Sequence, residues 1–250
     1  MSPRLAFAMN AAYAAGRSTL AHFENLGAVE TKEDGSPVTV ADREAEAIIR
    51  KLLAAAFPGE PVLGEEEGLD GSGDDRWVVD PIDGTKSFVC GVPLYATLLS
   101  YEQAGQPVVA VSYFPALDLI VSAEAGKGAY ANGRECRVSQ KSDLALATLC
   151  CGSHASMDRY GRADGFLSLD RKATATRSWG DAYGHCLVAM GRVEAMIDPV
   201  LKPWDVSAVQ LIVREAGGRC TTFGGEESPQ TEAVSSNGLL HESILEAFRG

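Results

Sequence analysis

The chain is short of basic residues: 22 Lys and Arg stand against 34 Asp and Glu, a formal charge of -12 at neutral pH. Nucleic-acid binding and docking on an anionic membrane both need a basic face, so this balance argues against either partner. It suits a protein that holds cations. Long apolar runs are also missing, and none approaches the ~20 residues that cross a bilayer. The Ala-rich stretch L-A-F-A-M-N-A-A-Y near the N-terminus imitates a secretory signal. Only one basic residue precedes it, Asn10 interrupts it, and the pattern continues to Phe23 at helical spacing, which predicts an amphipathic helix instead. The six cysteines (90, 136, 150, 151, 186 and 220) form no C-x-x-C. A zinc site and a disulfide framework are therefore not expected, and reduced thiols in a cytoplasm are. The four histidines (22, 154, 185 and 241) are scattered, with no H-E-x-x-H. There is no G-x-S-x-G elbow, and A-G-K-G at 125–128 lacks the partner Gly and the Ser/Thr of a P-loop. No internal repeat or low-complexity tract is present.

What the sequence does have is ordinary globular substance. Its 250 residues are 46% hydrophobic, and the mean hydropathy is -0.03. That allows one large domain or two small ones packed together, with a sizeable core. Residues 3–26 read as a long helix. T-K-E-D-G-S-P-V-T reads as a hairpin or loop punctuated by Asp34-Gly35 and Pro37. Thr39 begins a second helix, with Asp42 three residues on at capping-box spacing. P-V-L-G-E-E-E-G is a strand running into three acids, and residues 68–76 read as a loop. W-V-V-D is a strand, followed by a meander: L-Y-A-T-L-L-S-Y, P-V-V-A-V-S-Y and D-L-I-V-S-A-E, with turns at Ala104-Gly105, Pro115 and Gly126. A boundary falls between Gly133 and Lys141. This predicts an N-terminal α+β part (1–133) carrying most of the acids and a C-terminal α/β part (134–250), packed as one unit. In the second part a strand at A-T-L-C-C-G, a helix near 157–169, a strand at A-T-R-S-W-G, a helix near 181–191, a strand at V-E-A-M-I-D and a helix from Trp204 succeed one another.

Strands that end in acids are the distinctive feature. Glu65 and Glu66 end one; Asp80 ends another, and Asp83 follows in D-P-I-D-G-T. Any one of these acids alone is an ordinary solvated side chain. Several brought together must be paired with bases, protonated, or neutralised by a cation, and few Lys or Arg lie near them in sequence. Magnesium takes oxygen ligands. Pro81 fixes the backbone so that Asp80 and Asp83 can aim at one point, and the Ile82 carbonyl between them can join. Gly84-Thr85 adds a place for phosphate: a helix starting there points free N–H groups at an anion, Gly84 permits close approach, and Thr85 offers a hydroxyl.

These motifs together resemble the inositol monophosphatase superfamily of metal-dependent, lithium-sensitive phosphatases. V-T-V-A-D (38–42), G-E-E (64–66), D-P-I-D-G-T (80–85), W-D-V-S-A (204–208) and E-A-G-G (215–218) carry the resemblance, which spans essentially the whole chain. It implies an α/β (α+β) fold, a five-layered α-β-α-β-α sandwich, usually dimeric. It implies two or three Mg2+ ions, with Glu65, Asp80, the Ile82 carbonyl, Asp83 and Asp205 as ligands. Asp42 resembles a residue that supports a further metal through water, and Glu65 and Thr85 resemble the pair that positions the attacking water. Glu67, and Lys86-Ser87 after the D-G-T, depart from the common family pattern without touching the implied ligands.

Within the superfamily the chain is most similar to the histidinol-phosphate phosphatase branch, on T-K-E-D-G-S-P-V-T-V-A-D-R-E-A-E, D-G-T-K-S-F-V-C-G-V-P, R-S-W-G-D-A-Y-G-H-C-L-V-A-M-G-R and S-S-N-G-L-L-H. The implied substrate site comprises Asp83, Gly84, Thr85, Arg177, Gly180, Asp181, Asp198 and Asp205. Asp181 and Asp198 suit the ammonium and imidazole of histidinol; the alternative for Asp181 is that it caps the helix it begins. Arg177 can contact phosphate or pair with an acid. The expectation is a cytoplasmic, homodimeric hydrolase of a small phosphate monoester. Inositol monophosphatase, fructose 1,6-bisphosphatase and nucleotide (3'-phosphoadenosine) 3'-phosphatase activities are the alternatives, and a catalytically silent regulator with the same fold is the non-enzymatic one.

Overall fold

The computed structural model describes residues 1–25, 29–31, 37–227 and 229–249. The chain opens with α1 (Pro3–Thr19), capped by Ser2, whose hydroxyl accepts the Leu5 N–H. Pro3 sits in the first turn, where a missing N–H goes unnoticed. The helix stops well short of residue 26, which lies outside the described residues. The hydroxyls of Ser18 and Thr19 donate back to the carbonyls of Ala15 and Gly16, occupying acceptors that another helical turn would use. The hairpin expectation is met by β1 (Glu30–Thr31) and β2 (Pro37–Val38), which pair antiparallel; its Asp34-Gly35 tip lies outside the described residues. Next comes α2 (Val40–Ala56), N-capped by Thr39.

The first large sheet follows. Its strands are β3 (Val62–Gly64), β4 (Gly68–Asp70) and β5 (Arg76–Asp83), then, after the short α3 (Thr85–Val89), β6 (Ala96–Gln103), β7 (Gln106–Phe114), β8 (Leu119–Glu124), β9 (Ala129–Ala131) and β10 (Arg134–Glu135). They lie in the order β10-β9-β8-β7-β6-β5-β3-β4. In this sheet, among the described residues, only β3 and β5 pair in parallel. The Ala104-Gly105 turn has φ of 49° and 71° at its two residues, the handedness that a tight hairpin between twisted strands demands. Residues 68–70 are not loop but an edge strand paired with β3. Leu69 is exposed there, so no burial pattern betrays the strand. The sheet ends at Glu135, just past residue 133.

The second sheet contains β11 (Thr148–Cys151), β12 (Ala175–Arg177), β13 (Ala195–Asp198), β14 (Arg219–Thr221) and β15 (Ala233–Ser236), in the order β12-β11-β13-β15-β14. Its helices are α4 (His154–Arg159), α5 (Ala163–Asp170), α6 (Asp181–Ala189), α7 (Pro203–Glu215) and α8 (His241–Glu246). The single helix expected near 157–169 is broken in two at Gly161, whose φ is 68°, a conformation that ends α4.

Three cores define the layers. α1 and α2 pack on one face of the first sheet around Ile49, Leu53, Trp77, Val79 and Leu99. α6 and α7 lie between the sheets, joining Leu98 and Phe114 to Val206, Val209, Cys150 and Met196. On the far face α4, α5 and α8 bury Met157, Phe166 and Ile244 against Leu149, Ile197 and Val234. Strand alternation makes this possible: Leu98 and Leu99, or Leu149 and Cys150, point to opposite cores. The result is the expected five-layered α-β-α-β-α sandwich. No described helix is long and apolar enough to cross a membrane.

Candidate active site

In a regular strand, residues three apart point to opposite faces, so Asp80 and Asp83 should diverge. They do not, because β5 is bulged between them. Asp80 pairs with Leu98 and Asp83 with Ala96, so three residues of β5 span two of β6. Pro81, which has no N–H to offer a ladder, sits in the bulge. The Thr97 hydroxyl donates to the Pro81 carbonyl at 2.8 Å and holds the kink. The third acid comes from the other half of the chain. Asp205 is the third residue of α7, and its Oδ2 accepts the Lys202 N–H at the helix N-cap, at 2.7 Å. Carboxylate oxygens of Asp80, Asp83 and Asp205 lie within 4.8 Å of one another.

Asp42 repeats the Asp205 arrangement. It is the third residue of α2, and its Oδ2 accepts from the N–H and hydroxyl of Thr39, at 2.7 and 2.6 Å. Its Oδ1 is buried without a hydrogen-bond partner, as is Asp80 Oδ1. In both helices the cap fixes one oxygen and leaves the other for the site. Glu65 follows β3 directly, and its N–H donates to the Val79 carbonyl at 3.2 Å, beside Asp80. Its carboxylate lies outside the 4.8 Å trio but adds charge to Asp80, Asp42 and Asp205.

Burial and like charge strain this cluster. Burial first, then Glu65, Asp83 and Asp205, push the Asp80 carboxyl well above the usual carboxylate range. Asp83 is likewise raised by burial and by Asp181 and Asp205. Asp205 is pushed up to about 7, burial again leading. Among the described residues no Lys or Arg side chain forms an ion pair with Asp80, Asp83 or Asp205. Unpaired, hard oxygen donors with orphaned buried atoms are the donor set that a divalent cation satisfies. The residues therefore fit a metal ion.

The neighbouring turn is equally constrained. Gly84 has φ of 81°, and a Cβ there would lie 3.0 Å from Asp181 Oδ2. Thr85 donates its hydroxyl proton to the Ile82 carbonyl at 3.0 Å. Asp181 is the first residue of α6, directly after the N-cap Gly180. It adopts φ of 56°, rare for a residue with a side chain. Burial, then Asp198, raise its carboxyl to about 6, while Lys86 opposes them. Asp198 ends β13 and is buried. Gly180 caps α6, and a Cβ on it would stand 2.8 Å from the Gly152 Cα. Arg177 stands apart: it is exposed on the edge strand β12, and its described hydrogen bond goes to the neighbouring Thr176 carbonyl.

Two buried residues beside the site escape a reading of the sequence. Glu46 is fully buried, and its carboxylate accepts the N–H groups of Glu66 and Glu67 at 2.8 and 3.1 Å and the Arg50 Nε–H at 2.8 Å. It thus holds the loop that carries Glu65. Its one sequence signal is its place a helical turn after Asp42. His185, one turn after Asp181, approaches Asp198. A separate cavity of about 470 Å³, lined by Leu5, Met9, Ile120 and Tyr130, contains none of the candidate residues.

Known proteins resemble this chain over nearly its whole length. Histidinol-phosphatase of Chlorobaculum parvum is 39% identical over 252 aligned residues, covering 99% of this chain and 97% of that protein. Histidinol-phosphatase of Streptomyces coelicolor is 41% identical, covering 93% and 91%. Among solved structures, the Thermotoga maritima IMPase superposes with a TM-score of 0.91 at 32% identity, covering 98% of this chain and 96% of that one. The extragenic suppressor protein suhB of Bartonella henselae gives a TM-score of 0.92 at 32% identity, with 99% of each chain covered. The profile of the Inositol monophosphatase family matches residues 1–250, and the chain belongs to that family.

Proposed function

We propose that the protein is a magnesium-dependent phosphate monoester hydrolase that converts L-histidinol phosphate and water to L-histidinol and phosphate. The observation that carries the hydrolase reading is the convergence of Asp80, Asp83 and Asp205 from both halves of the fold within 4.8 Å. The substrate rests on relatives called histidinol-phosphatase at 39% and 41% identity and on the acids Asp181 and Asp198 beside the cluster.

Asp80, Asp83, Asp205, Glu65 and the Ile82 carbonyl are the residues to hold magnesium, with Asp42 supporting a further ion. When bound, the metal supplies positive charge where the phosphoryl group and the departing oxygen gather negative charge. The chain's own groups do the rest. Thr85 gives its proton to Ile82 O, so its oxygen is left as an acceptor that can hold a water by one of its hydrogens. Glu65 receives the proton of that water as it attacks phosphorus. The bulge and the two helix caps set these groups before substrate arrives, so little reorganisation is needed at the transition state. Gly84 leaves the turn open to phosphate, and Asp181 and Asp198 face the departing alcohol, with Gly180 packed closely on Gly152. Arg177, exposed on the edge strand β12, would have to leave the Thr176 carbonyl to meet phosphate. In this reading the N-terminal part (1–133) supplies most of the metal ligands and the C-terminal part (134–250) supplies Asp205 and substrate choice. The protein works in the cytoplasm as a homodimer.

Phosphate release from histidinol phosphate, inositol 1-phosphate, fructose 1,6-bisphosphate and a 3',5'-nucleotide, with magnesium and with chelator, tests this reading. Histidinol phosphate should be the best substrate, and chelator should abolish its turnover. A preference for inositol 1-phosphate or fructose 1,6-bisphosphate would move the substrate to that of the Thermotoga maritima fructose-1,6-bisphosphatase/inositol-1-monophosphatase, 34% identical. No release from any ester would leave the silent regulator.

A further inference from the structure

His185 is buried at 1% exposure in the middle of α6, one helical turn from Asp181 and on the same side of the helix. Its Nδ1 lies 2.8 Å from the hydroxyl of Ser235, itself fully buried on β15. The Ser235 hydroxyl also lies against the Cys220 thiol. The other ring nitrogen, Nε2, is buried with no hydrogen-bond partner. It stands 3.7 Å from Asp198 Oδ2. A shift of roughly 0.5 Å closes that gap to a hydrogen bond. On its other side the Asp198 carboxylate is confined by Gly152, where a Cβ would lie 3.2 Å from Oδ1. The carboxylate is thus wedged between a histidine and a backbone with no side chain.

A buried imidazole nitrogen without a partner is a standing cost that an apolar side chain of the same volume would not carry. Its placement beside a buried carboxylate gives it a use. A Ser235 hydroxyl that donates to Nδ1 leaves the proton on Nε2, the tautomer that can donate to Asp198. We propose that His185 is a positioning residue of the leaving-group subsite. Anchored by Ser235, it presents Nε2–H to Asp198 Oδ2 and sets the direction in which that carboxylate meets a cationic leaving group. The inference rests on the assignment of Asp198 to substrate choice. No described contact joins His185 to the carboxylate trio, so it bears on selection rather than on hydrolysis itself.

The test is the ratio of kcat/KM for histidinol phosphate to kcat/KM for inositol 1-phosphate, measured with saturating magnesium. His185→Leu removes the donor and keeps an apolar volume. His185→Gln restores an N–H donor near the Nε2 position. Ser235→Ala removes the anchor without touching Asp198, and serves if the leucine variant does not fold. His185→Leu should lower the ratio by roughly tenfold or more, the worth of one hydrogen bond to a charged group. His185→Gln should recover most of the loss, and Ser235→Ala should lower the ratio by several-fold. In an Asp198→Asn background, His185→Leu should add little. Equal losses on both esters in folded His185→Leu, or a full additional loss in the Asp198→Asn background, would overturn the positioning role. A wild type without preference for histidinol phosphate, or an Asp198→Asn variant with unchanged ratio, would instead overturn the substrate reading beneath it.

Discussion

Asp83 Oδ2 accepts the backbone N–H of Ala182 at 2.7 Å, across 99 positions of sequence. The bond fastens the bulged end of β5 to the start of α6, the helix that also carries Asp181 and His185. Asp83 thereby joins the two halves while its carboxylate stands within 4.8 Å of those of Asp80 and Asp205. The site exists only where the two sheets meet.

That double role makes Asp83→Asn informative. The amide oxygen can still accept from Ala182, so the junction should hold. The charge and a hard ligand are lost. With magnesium, kcat should fall by roughly 10³ or more, about 4 kcal/mol of barrier. In chelator the same variant should melt at a higher temperature than wild type, because it relieves one of several buried, mutually repelling carboxyls. Circular dichroism melts beside phosphate-release kinetics check both. A folded variant within tenfold of wild-type kcat would remove Asp83 from the ligand set.

Metal should also stabilise the wild-type protein by mass action, since the trio converges only in the folded chain. Titrating magnesium into chelator-stripped protein should raise Tm progressively, with the gain reduced in Asp80→Asn and Asp205→Asn. A Tm indifferent to magnesium in wild type would mean that the trio holds no such ion.

Much of this site was legible in the sequence, for identifiable reasons. A proline between two acids at a strand end points to a fixed backbone that aims both at one place, and Asp42 stands three residues past its helix cap; the bulge itself and the capping position of Asp205 were not legible. What was hidden depends on contacts far apart in sequence. β15 reads A-V-S-S, yet all four residues are buried, because β13 and β14 pair with it on either side. No alternation of polar and apolar residues marks such a strand. Glu46 and His185 are hidden for the same reason: their partners lie about 20 and 50 residues away.

Thr85 bears on the chemical step. Its hydroxyl proton is committed to the Ile82 carbonyl, so its oxygen acts as an acceptor. Thr85→Ala should therefore reduce kcat more than KM, as loss of an interaction made mainly in the transition state does. Steady-state kinetics on the preferred ester decide it. A change confined to KM would make Thr85 a phosphate-binding residue only.

The pH dependence of stability should carry the mark of His241. It is fully buried, with Nε2 2.9 Å from the Thr221 hydroxyl and Nδ1 2.7 Å from that of Ser236. Burial, then Arg219, push its pKa down to about 4, while Glu242 opposes them. The unfolded chain binds a proton there near pH 6.5 and the folded chain does not until about 4. Stability from this group is complete above pH 6.5, falls as pH drops through that window, and is level below it. The loss amounts to about 3 kcal/mol over the full window. His241→Asn should start less stable at pH 7.5 yet lose less between pH 6.5 and 4. Denaturant midpoints in chelator measure it, and parallel curves for variant and wild type would contradict the buried neutral imidazole.

Selection of the alcohol should lie with Asp181. The phosphate and the metal ligands are common to every candidate ester and cannot discriminate among them. Asp181 is held in a left-handed conformation, and its carboxylate reaches back over Gly84. A charge-assisted hydrogen bond is worth roughly 1.5–3 kcal/mol. Loss of one such contact should cost on the order of 10–10² in kcat/KM for histidinol phosphate. For inositol 1-phosphate, which offers no cation, Asp181→Asn should cost far less. Two esters, two proteins and one assay suffice. Because Asp181 adds to the charge that raises Asp83, a general effect on the metal site would depress both esters together. Equal losses would therefore assign Asp181 to the structure of the cluster, and a selective loss would assign it to the substrate.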